Sequence, residues 1–294
     1  MNGLAWITVL TSTAALMACG GGGSSSGGAR VALVAPATLA GSPIDGHFAR
    51  LNEVRVAMGL PSLSWDDTLA TAAQHHADYQ RLNQVVGHAE IPGNPGFYGE
   101  GFGDRAGKAG YGGSLVGEVI IGGVPDTAVD GRNAMDAMLT APGHRLMLLA
   151  YEFSDVGMGT APLTSDLGAK TPRAHPIGGL MLYPYSGQQN VATAYAPASE
   201  SPNPLPGVPI TGLPLSIHAG LFSYFTVYRA SLTDLRSGSA HKLLGTENLG
   251  AQRSAFVFFP VETLDANSSY SFSADVLIDG LSRSVTSTFT TASI

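Results

Sequence analysis

Apolar positions recur at spacings of three and four through the first half of the chain, and at spacings of two through its last third. From His47, the run Phe48, Leu51, Val54 and Met58 predicts a helix with one buried stripe. Gly59 and Pro61 end it. Ser64 and Asp66 offer caps for a second helix, in which Leu69, Ala73, His76 and Gln80 share a stripe; it ends near Asn83. The small alanines of that stripe let another element come close. Residues 84–113 are loop-rich, with a short helix over 104–109. A third helix covers 128–139, lined by Ala134, Met135 and Met138, and Pro142-Gly143 breaks it. Stretches 155–161 and 179–185 read as strands, dense in Gly, Met and Leu as a strand between helical layers would be.

Pro197, Pro202, Pro204, Pro206, Pro209 and Pro214 then exclude any helix or central strand over 197–214. This segment is expected to be a linker or a long edge segment. Beyond it the period becomes two, as in Phe222, Tyr224, Thr226 and Tyr228, in Ala255, Val257 and Phe259, and in Tyr270, Phe272 and Ala274. Val285, Ser287 and Phe289 follow, with Asp279-Gly280 as a hairpin turn between the last two runs. Short strands and turns without helices predict a small β-sandwich of ~80 residues.

Composition adds a location. An apolar run from Leu4 to Ala18 ends at Cys19, the one cysteine of the chain, followed by a stretch of Gly and Ser to residue 28. The run is short for a membrane span and suits a signal sequence. Leu16-Met17-Ala18-Cys19 resembles the lipobox of bacterial lipoproteins, which implies cleavage before Cys19 and lipid on its sulfur. Residues 20–44 would then be a flexible tether. The formal charge of −7 and the absence of any Lys/Arg cluster argue against a nucleic-acid partner. With Cys19 lipidated, stability rests on packing rather than on a disulfide.

The candidate chemistry lies in the helical half. His88, Glu118 and His144 each stand beside or near a glycine, in or beside what reads as a loop. Two imidazoles and a carboxylate suit acid–base work or divalent metal binding, if the fold brings them together. His76 lies on the apolar stripe and reads as a satisfied core residue, with neighbouring His75 solvated. No Gly-x-Ser-x-Gly elbow and no phosphate loop is present.

From Phe48 to Gly159 the sequence resembles a CAP domain, the fold of cysteine-rich secretory proteins and plant pathogenesis-related proteins. The residues that carry the resemblance are Leu51-Asn52-Glu53-Val54-Arg55, Leu63-Ser64-Trp65-Asp66, Gly87-His88, Gly117-Glu118-Val119, Pro142-Gly143-His144-Arg145 with Leu148-Leu149, and Val156-Gly157-Met158-Gly159. In that family two histidines and two acids face a groove. The resemblance assigns those places to His88, Glu118 and His144. The second acid has no match, because the helix before His144 reads Ala134-Met135-Asp136-Ala137-Met138. Glu90 is the proposed substitute, since positions 88 and 90 of an extended loop point the same way. The C-terminal strands resemble Ig-like or fibronectin III-like domains, on Leu264 to Tyr270 and Thr288-Phe289-Thr290-Thr291.

The expected fold is therefore α+β, a CAP-type α-β-α sandwich followed by a small all-β Ig-like sandwich. The expected division is signal peptide 1–18, tether 19–44, CAP domain 45–196, proline-rich linker 197–210 and Ig-like sandwich 211–294. The resemblance implies a cell-envelope lipoprotein, held in the outer membrane or at the cell surface, whose groove binds a lipid, another small molecule or a divalent cation such as zinc. Binding is favoured over catalysis. The competing readings are a metal-assisted hydrolase, with metal on His88 and His144 and Glu118 as base, and a surface adhesion or structural protein.

Overall fold

The structure is a computed structural model and describes residues 36–123 and 127–293. Cys19, the expected signal segment and the expected tether as far as residue 35 lie outside the described residues.

Helix α1 (Pro43–Ala57) starts earlier than its apolar stripe suggests, because Ser42 caps it by accepting the Asp45 N–H and Pro43 opens its first turn. After strand β1 (Ser64–Trp65), Asp66 caps α2 (Asp67–Asn83) through the N–H groups of Thr68 and Leu69. The expected stripe of Leu69, Ala73, His76 and Gln80 is buried throughout. The next elements are α3 (Phe102–Lys108), β2 (Leu115–Ile121), α4 (Ala128–Thr140), α5 (Pro142–Leu148), β3 (Asp155–Gly159) and β4 (Leu163–Ala169). Two expectations about placement change here. Glu118 stands within β2 and His144 within α5, so only His88 lies on a loop. Pro142 does end α4, but it also opens α5 at the position where a missing N–H costs nothing.

The first sheet runs β1-β3-β4-β2, with β1 parallel to β3 and the remaining pairs antiparallel. Helices flank it. Gly157 of β3 lets α2 approach so closely that an added Cβ would lie 1.9 Å from the Ala70 nitrogen. Helices α1 and α4 cross through Gly46 and Gly131. A Cβ on either would fall 1.9 Å from a backbone oxygen of the opposite helix, Ala128 for the first and Pro43 for the second. The Leu-Asn-x-x-Arg motif holds the chain return. Asn52 exchanges two hydrogen bonds with the backbone of Leu63, and buried Arg55 donates to the carbonyls of Pro61, Leu148 and Ala150.

The C-terminal half is rich in strands: β5 (Met181–Tyr183), β6 (Gln188–Val191), β7 (Leu215–His218), β8 (Phe225–Asp234), β9 (Ala240–His241), β10 (Leu243–Leu244), β11 (Gln252–Arg253), β12 (Ala255–Pro260), β13 (Ser269–Ile278) and β14 (Leu281–Thr291). One sheet is ordered β10-β12-β7-β5; the other is β11-β8-β13-β14-β6, with β9 also on β8. Asp279 and Gly280 both have positive φ, 51° and 75°, which gives the twisted two-residue turn expected between β13 and β14. The strand expected over 179–185 is shorter than read. It pairs with β7, not with the helix-flanked sheet, and β6 runs parallel to β14. The proline-rich segment is not wholly solvated either. Glu200, Thr211 and Leu213 are buried, and Tyr195 and Thr211 exchange backbone hydrogen bonds at 2.9 Å.

Candidate functional site

Glu118 is the hub of a buried polar cluster. From β2 its carboxylate meets His76 of α2, 3.8 Å away, and Arg105 of α3. One carboxylate oxygen accepts from His88 Nδ1 at 2.8 Å. The other accepts from Arg105 Nη2 at 2.8 Å. Arg105, fully buried on α3, also donates to the carbonyls of His88 and Gly99 at 3.1 and 3.2 Å, so one guanidinium fixes both the carboxylate and the loop that carries His88. Burial would raise the Glu118 pKa. The His88 hydrogen bond and the charges of Arg105, His76 and His88 outweigh it and hold the carboxyl below its ordinary value.

His88 is the member that reaches solvent. Its side chain is 54% exposed while Glu118 is fully enclosed. Nδ1 is fixed on Glu118, and no protein partner holds Nε2 among the described residues. A carboxylate that orients one nitrogen and leaves the other free is an arrangement suited to hydrogen bonding or proton exchange with a bound molecule.

Asp166 was not visible in the sequence as a site residue. It stands directly opposite Glu118 in the β2–β4 register and is completely buried. Neither of its oxygens meets a donor. Burial first, and then the Glu118 charge, raise its pKa well above the usual carboxylate range, with Arg105 offsetting part of this.

Glu90 is buried and turned inward. Its Oε1 lies 2.8 Å from His76 Nδ1, and its Oε2 accepts the Tyr98 and Gly99 N–H groups at 2.6 and 3.2 Å. His76 is the satisfied core residue expected, with Nε2 2.7 Å from the Gly87 carbonyl. His75 is exposed but stacks on Tyr98, ring centroids 3.9 Å apart.

His144 belongs to a second, separate cluster. No hydrogen bond or ion pair joins it to His88 or Glu118 among the described residues. Its Nε2 lies 3.2 Å from the Ile120 carbonyl, two positions along β2 from Glu118. Its Nδ1 lies 3.1 Å from Glu200, a buried residue of the proline-rich segment. Glu200 also accepts the N–H groups of Gly143 and His144 at 2.6 and 3.2 Å and the Tyr195 hydroxyl at 2.9 Å. Burial would raise its pKa, but the hydrogen bonds and charge of His144 win and lower it. The next residue, buried Arg145, donates to Pro214 and stacks over the Tyr183 ring at 4.4 Å.

With both nitrogens of His144 engaged, a metal shared between His88 and His144 does not fit these residues. Among the described residues, no group of three or more His, Cys, Asp or Glu side chains is placed to hold a metal ion. No described helix is long and apolar enough to cross a membrane.

Residues 48–168 match the model of the cysteine-rich secretory protein family, CAP. They form a CAP domain. The match covers the helix-flanked sheet and stops before the strands of the C-terminal half. No curated protein matches the chain. Among solved structures, an extracellular protein containing a SCP domain from Bacillus anthracis str. Ames is 28% identical with a TM-score of 0.36, over 41% of this chain and 38% of that one. This chain thus spans well under half of that protein's length. An outer surface protein from Borrelia burgdorferi is 18% identical with a TM-score of 0.36, over 45% of this chain and 93% of that one.

Proposed function

We propose that this is a lipid-anchored cell-surface CAP protein whose ligand site is built on His88, with Glu118 and Arg105 as its buried support. The observation that carries this reading is the contrast within one hydrogen-bonded pair. His88 is half exposed with one nitrogen free, while the carboxylate that orients it is enclosed and held by an arginine. A side chain fixed so firmly on one side and left open on the other is prepared for a partner from solvent. We take the ligand to be a small molecule or lipid, a reading supported by the engagement of both His144 nitrogens within the protein. Cys19 supplies the anchor. The C-terminal strands act as an Ig-like module, a reading supported by Tyr270, whose hydroxyl accepts the Asp265 N–H at 2.9 Å in the manner of a tyrosine corner.

Native mass spectrometry of the full chain, purified from membranes in mild detergent, tests the site. The wild type should carry a small-molecule or lipid adduct, or acquire one from a lipid extract of the same membranes. His88→Ala should lose it, and the distant exposed variant Ile177→Ala should keep it. A wild type that carries and acquires nothing, or a His88→Ala protein that retains the adduct, refutes the reading. Cys19→Ala should move the protein to the soluble fraction and abolish palmitate labelling.

A further inference from the structure

Residues 84–101 form no helix or strand, so the turn that carries His88 takes its shape from what grips it. Helix α2 supplies much of the grip. Gln80 accepts the Gly87 N–H at 3.2 Å, and the Tyr79 hydroxyl accepts the Ile91 N–H at 2.9 Å. His76 stands one helical turn before them, fully buried. Its Nε2 meets the Gly87 carbonyl and its Nδ1 meets the Glu90 carboxylate, 2.7 and 2.8 Å away. One ring therefore holds the chain immediately before His88 and again two residues after it.

The partners dictate the protons of that ring. The Gly87 carbonyl can only accept, so Nε2 carries a hydrogen. The proton shared with Glu90 belongs to Nδ1 as well, because Glu90 is held as a carboxylate. Its Oε2 accepts the Tyr98 and Gly99 N–H groups, and Arg105 Nε lies 3.8 Å from its Oε1. The remaining surroundings suit a positive ring. Glu118 Oε1 is 3.8 Å from Nε2, the Tyr79 ring lies parallel with its centroid 6.2 Å away, and Asp166 stands opposite Glu118 on β4. His76 and Arg105 then balance Glu90 and Glu118 within one enclosed set, as buried charges require.

A neutral imidazole has one N–H to give. With one proton lost, a lone pair faces either the Gly87 carbonyl or the Glu90 carboxylate, and that contact becomes repulsive. We infer that His76 is a positioning residue of the His88 site: donating from both ring nitrogens, it clamps the turn on either side of His88 and so fixes where the free Nε2 of His88 points. The role of His76 rests on the ligand reading above only for its consequence. Capture at His88 depends on a proton held by a ring that the ligand never touches, and it weakens in alkali.

Imidazole NMR of the full chain, labelled with 15N-histidine and kept in mild detergent, tests the clamp without any ligand. At about pH 6 the wild-type His76 ring, assigned through its contact with the Tyr79 ring, should carry protons on both nitrogens, slow to exchange with water. In His76→Ala the His88 Nδ1–H signal should broaden or vanish, and the adduct carried by the wild type should fall roughly tenfold or more. Added imidazole should restore both. Pyrazole, of the same size but with a single N–H, should not, whereas a ring that merely filled space would be replaced equally well by either. A wild-type His76 with one bare nitrogen, an unchanged His88 signal in His76→Ala, or equal rescue by pyrazole would overturn the inference. A His76→Ala protein that does not fold leaves the decision to the wild-type ring. A wild type without any adduct would sink the ligand reading, and the spectra alone then decide the clamp.

Discussion

Glu200 and His144 face each other at 3.1 Å although 56 positions separate them. The acid that partners the histidine of the Gly-His-Arg motif therefore comes from outside residues 48–168, from a proline-rich segment that holds it in place through Tyr195. Consecutive residues of α5 serve the same junction, His144 through Glu200 and Arg145 through Pro214 and Tyr183.

Removing that acid should be costly. Glu200→Ala is expected to lower stability by about 3 kcal/mol in urea denaturation, because it leaves the half-buried N–H groups of Gly143 and His144 and the buried Tyr195 hydroxyl unpaired. Glu200→Gln, whose amide oxygen still accepts, should lose less. The native pKa of Glu200 is depressed, so its contribution is present above the unfolded glutamate range near ~4.3 and is lost as pH falls through the native value.

Asp166 should act with the opposite sign. Its native pKa is raised, so the folded state keeps a proton that the unfolded chain releases, and stability is lost as pH rises from the unfolded aspartate range through the native value. Asp166→Asn removes that penalty. The melting temperature of Asp166→Asn relative to wild type should climb steadily between pH 4 and pH 8. A difference that stays flat across those pH values would show that Asp166 is ionised throughout.

His47 gives an acid-sensitive counterpart. Burial pushes its pKa down to about 4, against a bond to the Gly131 carbonyl that raises it. Stability from this group is present above the unfolded value near ~6.5 and falls as pH drops toward 4. The loss is about 3 kcal/mol by pH 4. His47→Gln should flatten the pH dependence of urea midpoints across that window by a comparable amount.

The α1–α4 crossing should tolerate no added methyl group. Gly46→Ala and Gly131→Ala each drive a Cβ into a backbone oxygen, and each should lower stability by ~3 kcal/mol or prevent folding. Gly107→Ala on α3 meets open space at an ordinary φ and should instead stabilise by about 0.5–1 kcal/mol. Thermal melts of the three variants would show the contrast.

Much of the architecture was legible because local signals decided it. Asp66 at the head of α2, the stripe ending in Gln80 and the Asp279-Gly280 turn are all visible within a few residues of chain. Elements buried on both faces were not. Leu163–Ala169 shows no alternation because every side chain in it is enclosed, so nothing marked β4 as a strand or Asp166 as a site residue. Helix α5 is seven residues long and opens with Pro-Gly, which reads as a break. Glu200 carried no signal at all, since its role depends on where a distant proline-rich segment returns. The string around Glu90 suggested the right neighbourhood but the wrong direction, because the alternation of an extended loop gave way to a carboxylate drawn inward by His76 and two backbone N–H groups.

Arg145 has a practical consequence for cutting the molecule into pieces. An expression fragment ending at residue 168 keeps the guanidinium but discards both the Pro214 oxygen and the Tyr183 ring that receive it. The excised helical half would leave Arg145 with the Leu139 carbonyl as its remaining acceptor and uncover the rest of its guanidinium. Solubility of such a fragment would suffer before any question of ligand could be asked, and a shorter gene is the wrong economy for this protein.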